Sequence, residues 1–340
     1  MNANPSHPYL HVSNGSSVTM TLEAAGVSGM CSIWADPLNE GPVPGGLSDA
    51  ELLEVRRLYH ATPDGSGALP DAGDPSLDPV NDMRRWREVI AKHESYGELV
   101  LWFEHDLFDQ LNLIQLLTWI REHVPASKPV SLICIGSFPG RPDFKGLGEL
   151  TVGELAPLLE TRVPVSDAQF TLAERAWHAF RQATPEALDA LRREDTNALP
   201  YLNDALKRFL QEYPWTSDGL SRTERRLLQL ANDGPLSLAK AFPEMGQGDR
   251  FYTITDLSLL ATADDLGTTS PPLLTIDRTA GSEHPFRARI VATDAGRSVL
   301  GGGMDRVEAC GVDRWLGGVH LQGHQQLWRW DEENQRVTHP

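Results

Sequence analysis

The sequence predicts an α/β protein. It would comprise an N-terminal doubly wound, Rossmann-like parallel sheet over residues 1–140, a helical segment over 141–215, and a winged-helix-like C-terminal α+β domain with a closing hairpin over 216–340. Three observations predict this. Apolar β-type runs alternate with helical periodicity through the first 140 residues, the order that builds a parallel sheet with right-handed crossovers. Between Phe138 and Trp215 the β-type runs stop and helical spacing takes over. Beyond Asp218-Gly219, three short helical patterns precede two β-type runs around a glycine-containing turn, the outline of a winged helix.

Tyr9-Leu-His-Val12 is a strand ended by Ser13-Asn-Gly-Ser-Ser17, after which Val18, Leu22 and Ala25 fall at helical spacing until Gly26. Met30-Cys-Ser-Ile-Trp34 is a second strand, and the Pro and Gly content of Ala35 to Pro44 excludes a regular element there. Ser48 with Glu51 forms a capping box that opens a helix through Leu52, Val55 and Tyr59. Ala61 to Pro79 has little to bury and reads as a mobile loop. Met83, Trp86 and Ile90 share a helix face, and Glu98-Leu-Val-Leu-Trp-Phe103 is apolar enough for a strand covered on both faces. Leu107 to Val124 is apolar nearly all round, as a buried crossover helix must be, and Val130 to Ile135 is the next strand. Ala173–Arg181, Pro185–Arg193 and Tyr201–Tyr213 are helical. Ser221-Arg-Thr-Glu224 is a second capping box, followed by helices around Leu236–Ala241 and Thr253–Asp264. Leu273–Ile276 pairs with Phe286–Val291, Thr293–Leu300 is a last helix, and Trp315–His320 pairs with Gln326–Trp330.

Composition bounds the function. The 340 residues suffice for two to three domains, and 40% hydrophobic with 23% charged residues is the globular norm. No apolar stretch approaches the roughly 20 residues that span a bilayer, so no membrane association is expected. The first residues lack a basic segment followed by an apolar core, which points to the cytoplasm. Cys31, Cys134 and Cys310 have no CxxC spacing and read as small buried hydrophobes. A net charge of −17 repels a phosphate backbone, which argues against nucleic acid as a partner. Nothing in the residues sets an oligomeric state.

His11-Val-Ser-Asn-Gly-Ser-Ser17, Trp34-Ala-Asp-Pro-Leu38 with Glu40-Gly-Pro42, and Trp102-Phe-Glu-His-Asp-Leu-Phe-Asp-Gln110 resemble the N-terminal signature of the bacterial family called domain of unknown function 1835. The similarity continues through Gly146-Leu-Gly148, Leu199-Pro200, Gly219-Leu-Ser-Arg-Thr-Glu224 and Trp315-Leu-Gly-Gly318. Ser16 departs from the Asp that members often carry after the glycine. The resemblance implies an architecture and a shared set of polar residues, and no activity.

Ligands of open α/β sheets bind beyond the carboxyl ends of the strands, where this sequence places its polar residues. Asn14, Gly15, Ser16 and Ser17 would put hydroxyls and backbone N–H groups at a helix N-terminus, suited to a phosphate or carboxylate; equally, Ser16 or Ser17 caps the helix. Asp36 and Glu40 follow the second strand; Glu104, His105, Asp106, Asp109 and Gln110 follow the third. Five carboxylates cannot all ionise in one dry pocket, so a cation such as Mg²⁺, a retained proton or an arginine must neutralise them. Glu104, His105 and Asp106 are the candidate catalytic residues, with His105 placed to act as a general base; Asn14, Gly15, Ser16, Ser17, Asp36, Glu40, Asp109 and Gln110 are the candidate ligand-binding residues. Asp106 is equally placed to cap the helix that begins at Leu107. Asp313, His320 and His324 read as structural. The expectation is a protein that binds a small anionic ligand, with turnover left open. The alternative, raised by the winged-helix outline, is a ligand-responsive regulatory or protein-interaction module without catalysis; the helix at Thr253–Asp264 has no Lys or Arg with which to read DNA, and only Arg278, Arg287 and Arg289 around the following turn keep DNA binding open as a minor reading.

Overall fold

In the computed structural model, which describes residues 5–61, 79–279 and 284–339, the apolar runs become strands and the amphipathic runs become helices. The first half contains β1 (His7–Ser13), α1 (Ser16–Ala24), β2 (Met30–Ile33), β3 (Gly41–Pro42), α2 (Asp49–His60), α3 (Pro79–Ala91), β4 (Tyr96–Glu104), α4 (Leu107–His123) and β5 (Val130–Ile135). There follow α5 (Val152–Leu155), β6 (Val163–Pro164), α6 (Asp167–Phe180), α7 (Glu186–Leu191), α8 (Leu202–Leu210) and α9 (Arg222–Asn232). Next are β7 (Leu236–Ser237), α10 (Leu238–Met245), α11 (Asp256–Thr268), β8 (Leu274–Asp277), β9 (Arg289–Ala292) and α12 (Asp294–Leu300). The last are α13 (Arg306–Cys310), β10 (Val312–Gly317), β11 (Val319–Gly323), β12 (Arg329–Asp331) and β13 (Arg336–Thr338). Most of the loop expected at Ala61–Pro79 lies outside the described residues.

Internal contacts group the chain into two compact units that interleave in sequence. One comprises Met1–Asn39, Ser76–Ala179 and Leu191–Ala205, the other Glu40–Pro75, Phe180–Ala190 and Leu206–Pro340. The sequence-based boundaries at 140 and 215 are linear cuts, whereas these units exchange segments.

The first unit is α/β, built on a five-stranded sheet in the order β2-β1-β4-β5-β6. The pairs β1–β2, β1–β4 and β4–β5 are parallel, with Val12 opposite both Ser32 and Leu101. The edge strand β6 is antiparallel to β5; two residues are too few to show a β pattern, which is why the expectation of no β-run between Phe138 and Trp215 fails here. Leu99 through Phe103 are all fully buried, so both faces of β4 are covered. On one face Val18 and Leu22 of α1 pack with Val100, Trp102, Ile133 and Leu147. α4 is buried nearly all round, and its internal polar groups are matched. Asn112 accepts from the Asp36 N–H and donates to the Asp36 carbonyl, both at 2.9 Å, and Gln115 accepts from Trp34 Nε1 at 2.9 Å. These bonds fix the segment after β2 against α4 without leaving a buried donor orphaned.

In the second unit α9, α10, α11 and α12 pack on an antiparallel sheet in the order β7-β9-β8, around a core that includes Leu227, Leu228, Leu259, Leu266, Leu273, Ile290 and Val299. The Ser48 and Ser221 capping boxes both form as the sequence predicts. Glu224 of the second box also takes Arg314 at 2.5 Å and Arg306 at 3.4 Å, and these two guanidiniums hold its buried carboxyl at about 2. Two corrections concern strands. Gly41–Pro42, inside a stretch read as irregular, pairs in parallel with β10. The closing hairpin divides into two: Trp315 pairs with His320 across the β10–β11 turn, and Trp330 pairs with Val337 in the β12–β13 hairpin. The turn is Gly317-Gly318, a glycine pair inside a run that otherwise reads as one strand; Gly317 has φ +59. Cys31, Cys134 and Cys310 are free thiols. Among the described residues no helix is long and apolar enough to cross a membrane.

Candidate functional site

Chain direction changes across the first unit's sheet between β1 and β4: β1 leads by α1 to β2 on one side, and the chain then returns past β1 to β4. In open α/β sheets, such a reversal is where ligands bind, at the carboxyl ends of the two strands. β1 ends at Ser13-Asn14 and β4 ends at Glu104.

The first three residues after Phe103 that carry carboxyl groups, Glu104, Asp106 and Asp109, bring one oxygen each within 4.8 Å of one another. Local geometry forces this. Asp106 is the N-cap of α4 and accepts from the Asp109 N–H at 2.9 Å, which turns the chain back so that Asp109 Oδ1 accepts from the Glu104 N–H at 2.9 Å. Asn14 Nδ2 donates to the other oxygen of Asp109, tying β1 to the cluster. The Leu147 N–H donates to Glu104 Oε2. Gly146 is required by proximity, because a Cβ there would fall on both carboxylate oxygens of Glu104.

Glu104 and Asp109 are buried, and Asp106 keeps some exposed surface. Desolvation, with the Asp106 charge adding to it, pushes the Glu104 carboxyl up to about 8 against the Leu147 and Asn14 donors. Desolvation raises Asp106 to about 6 against its own hydrogen bonds to α4, and holds Asp109 well above the ordinary carboxylate range. At neutral pH such a cluster holds a proton or takes up a cation, since three like charges this close in low dielectric repel strongly.

Of the residues expected at the site, Asn14, Glu104, Asp106 and Asp109 come together. Gly15, rather than Ser16 or Ser17, is the N-cap of α1; having no side chain, it leaves the first turn without a side-chain cap. Ser17 Oγ lies where a Cβ on Gly148 would fall, so the α1 N-terminus sits against the Gly146–Gly148 segment. Gln110 donates to the Glu104 carbonyl at 2.7 Å and to Cys134 Sγ at 3.5 Å, a clamp between α4 and the sheet. His105 is buried with its ring centroid 6.4 Å from Phe144 and 6.1 Å from Tyr201. Asp36, held through its backbone by Asn112, borders a water-sized cavity with Trp34, Met83 and Arg87. Glu40 belongs to the second unit, where Ser258 Oγ donates to it and burial raises its carboxyl above the usual range. His320 is hydrogen-bonded to Asp313 at 2.6 Å and stacks on Trp315.

Sequence reasoning missed the Gly146-Leu147 backbone as part of the site. Its signal was the Gly-Leu-Gly spacing, since closely spaced glycines allow a close backbone approach.

No protein-family model and no curated protein matches the chain. Among solved structures it is similar to the DNA-binding, cleavage and re-ligation domain of Plasmodium falciparum topoisomerase II, with 10% sequence identity and a TM-score of 0.48, covering 98% of this chain. The chain spans about half, 54%, of that structure's length.

Proposed function

We propose that this is a cytoplasmic protein whose first unit binds a small phosphate- or carboxylate-bearing ligand together with a divalent cation such as Mg²⁺. The single observation that carries the reading is the group formed by Glu104, Asp106 and Asp109 at the β1/β4 reversal. Hard divalent cations take carboxylate oxygens and keep open positions for ligand oxygens, and the α1 N-terminus supplies backbone donors beside them. The sheet is then the doubly wound, Rossmann-like type, with its ligand at the switch point. The resemblance to the domain of unknown function 1835 family fits, because its quoted blocks supply Asn14, Glu104, Asp106, Asp109 and Gly146.

Saturating Mg²⁺ is expected to raise the melting temperature of the wild type by several degrees, since ligand at about 100-fold its Kd contributes about 2.7 kcal/mol. Inorganic phosphate or nucleoside phosphates should add to that shift only when Mg²⁺ is present. A thermal-shift panel with no response to Mg²⁺, Mn²⁺ or either in combination with phosphates would remove this reading.

Gly146→Ala tests the site through its backbone cradle. The φ of 171 suits any residue, so the fold is retained, but the added methyl displaces the Glu104 carboxylate. Mg²⁺ affinity measured by calorimetry is expected to fall about tenfold or more, as for other changes behind a ligand side chain. Unchanged affinity would mean that Glu104 does not hold the cation.

A second reading rests on the second unit. The order α9-β7-α10-α11-β8-β9 with sheet order β7-β9-β8 supports a winged-helix-like reading of this unit, the fold a ligand-responsive regulator would use. α11, in the reading position, contains Asp256, Asp264 and Asp265 and no Lys or Arg, so its partner in this reading is a protein.

A further inference from the structure

The second unit has a partly open cavity of about 210 Å³ whose wall carries four guanidiniums, Arg208, Arg222, Arg225 and Arg226, against the one carboxylate of Asp249. In a chain of net charge −17 such a concentration of arginine needs a reason. How each arginine is held decides what it can still do.

Arg208 is fully engaged. It donates to Asp249 and Glu212, each at 2.5 Å, and to Thr223 at 3.2 Å, with its guanidinium 4.4 Å above the Tyr252 ring. The other three project from α9 at i, i+3 and i+4, which places them on one side of the helix. Arg225 is ion-paired to Asp218 and lies 4.7 Å over Trp215. Arg226 differs from both. Its Nε and Nη2 donate to the Glu244 carbonyl at 3.2 and 2.8 Å, a neutral group, so among the described residues its charge has no carboxylate partner and its Nη1 has no acceptor. Arg222 donates through Nη1 to Gln211 and reaches Asp249, already bonded to Arg208, only at 3.5 Å; its Nε likewise has no acceptor among the described residues. Two arginines one turn apart, each anchored along one edge, present the planar donors that match a phosphate.

We propose that this cavity binds a small phosphomonoester, with the phosphate between Arg222 and Arg226 and the organic stem toward Met245 and Ile254. A cavity of about 210 Å³ has room for several waters, and so for a phosphate on a stem of a few carbons. It falls below the roughly 300 Å³ at which sites for drug-sized ligands begin, which favours a small ligand. This site is independent of the carboxylate cluster and needs no metal.

Calorimetric titration of the full-length protein with phosphoserine, inorganic phosphate and serine tests it. Saturable binding of phosphoserine is expected, with weaker binding of inorganic phosphate and none of serine. Arg226→Gln should weaken phosphoserine binding at least about tenfold. Gln229→Glu, at an exposed position on the same wall, should do so by repulsion while the ligand-free melting temperature stays unchanged, which separates loss of binding from loss of fold. Glu104→Gln should leave phosphoserine binding as it is. Absence of saturable binding, or binding that survives both Arg226→Gln and Gln229→Glu, overturns the proposal. Inorganic phosphate bound as tightly as phosphoserine overturns the assignment to a monoester.

Discussion

Replacing Asp106 by Asn is expected to leave α4 capped, to raise the melting temperature of the ligand-free protein, and to abolish most of the stabilisation that Mg²⁺ supplies. The three outcomes follow from one side chain with two roles. As N-cap, Asp106 accepts the Asp109 N–H, and the Oδ1 of Asn accepts it equally, so the helix start is kept. As a member of the cluster, it adds its charge to the two forces that push Glu104 up to about 8. Removing that charge relieves repulsion in the empty site, worth on the order of 1–2 kcal/mol and so a few degrees. Removing one of three anionic ligands weakens a hard cation strongly, because Mg²⁺ is bound through few protein carboxylates. Thermal melts of both proteins with and without Mg²⁺ read all three outcomes. A mutant that melts lower without metal, yet responds to Mg²⁺ as the wild type does, would make Asp106 a cap and nothing more.

The parallel order of the first unit was legible because Leu99–Phe103 and Val130–Ile135 carry continuous apolar runs, and a run buried on both faces has few other readings. The cluster was legible for a related reason: carboxylates directly after such a strand and before a buried helix must sit at its carboxyl end, which holds for Glu104, Asp106 and Asp109. The same logic placed Asp36 and Glu40 together after β2, yet they take different surroundings. The Pro-Leu-Asn segment between them carries no periodicity from which its path can be read. Asp36 is fixed by the Asn112 amide of α4, and Glu40 by Ser258, 218 residues further on. Partners that distant leave no local trace. The interleaving of the two units is hidden for the same cause, since β3 is two residues long and finds its partner in β10. Gly15 shows the opposite limit: two serines follow it, both good caps by type, but the helix begins one residue earlier than the hydroxyls suggest.

The ligand-free protein is expected to lose stability as pH rises from about 5 to about 8, with a slope of at least about two protons up to about pH 6 and at least about one from there to about 8, and Mg²⁺ should reverse the trend. In the folded chain Glu104 is raised to about 8 and Asp106 to about 6, from ordinary values of 4.5 and 3.8. Between the ordinary and the raised values the folded state therefore holds protons that the unfolded state has released. Stability is fully present below the ordinary values and declines until Glu104 ionises, at about 1.4 kcal/mol per pH unit for each proton retained. Burial is the main cause of the shift and neighbouring carboxylates add to it: Asp106 and Glu149 act on Glu104, and Glu104 and Asp106 act on Asp109, against the hydrogen bonds from Asn14, the Leu147 N–H and the Glu104 N–H. Glu224 works in the other direction and in another window. Its carboxyl, held at about 2 beside Arg306 and Arg314, contributes stability above its ordinary value of 4.5 that disappears as pH falls toward about 2. The stability profile should thus peak near pH 5, falling on its acid side through Glu224 and on its neutral side through the cluster. Mg²⁺ binds the ionised carboxylates, so its stabilisation grows as pH rises, and at saturation the neutral side should level or turn upward. Chemical denaturation at stepped pH, for wild type and for Glu104→Gln, measures this directly. The substitution should flatten the neutral side by about one proton and leave the acid side unchanged; a wild type whose stability stays level from about pH 5.5 to 8, or a mutant that keeps the wild-type slope, would show that Glu104 is not protonated in the folded protein.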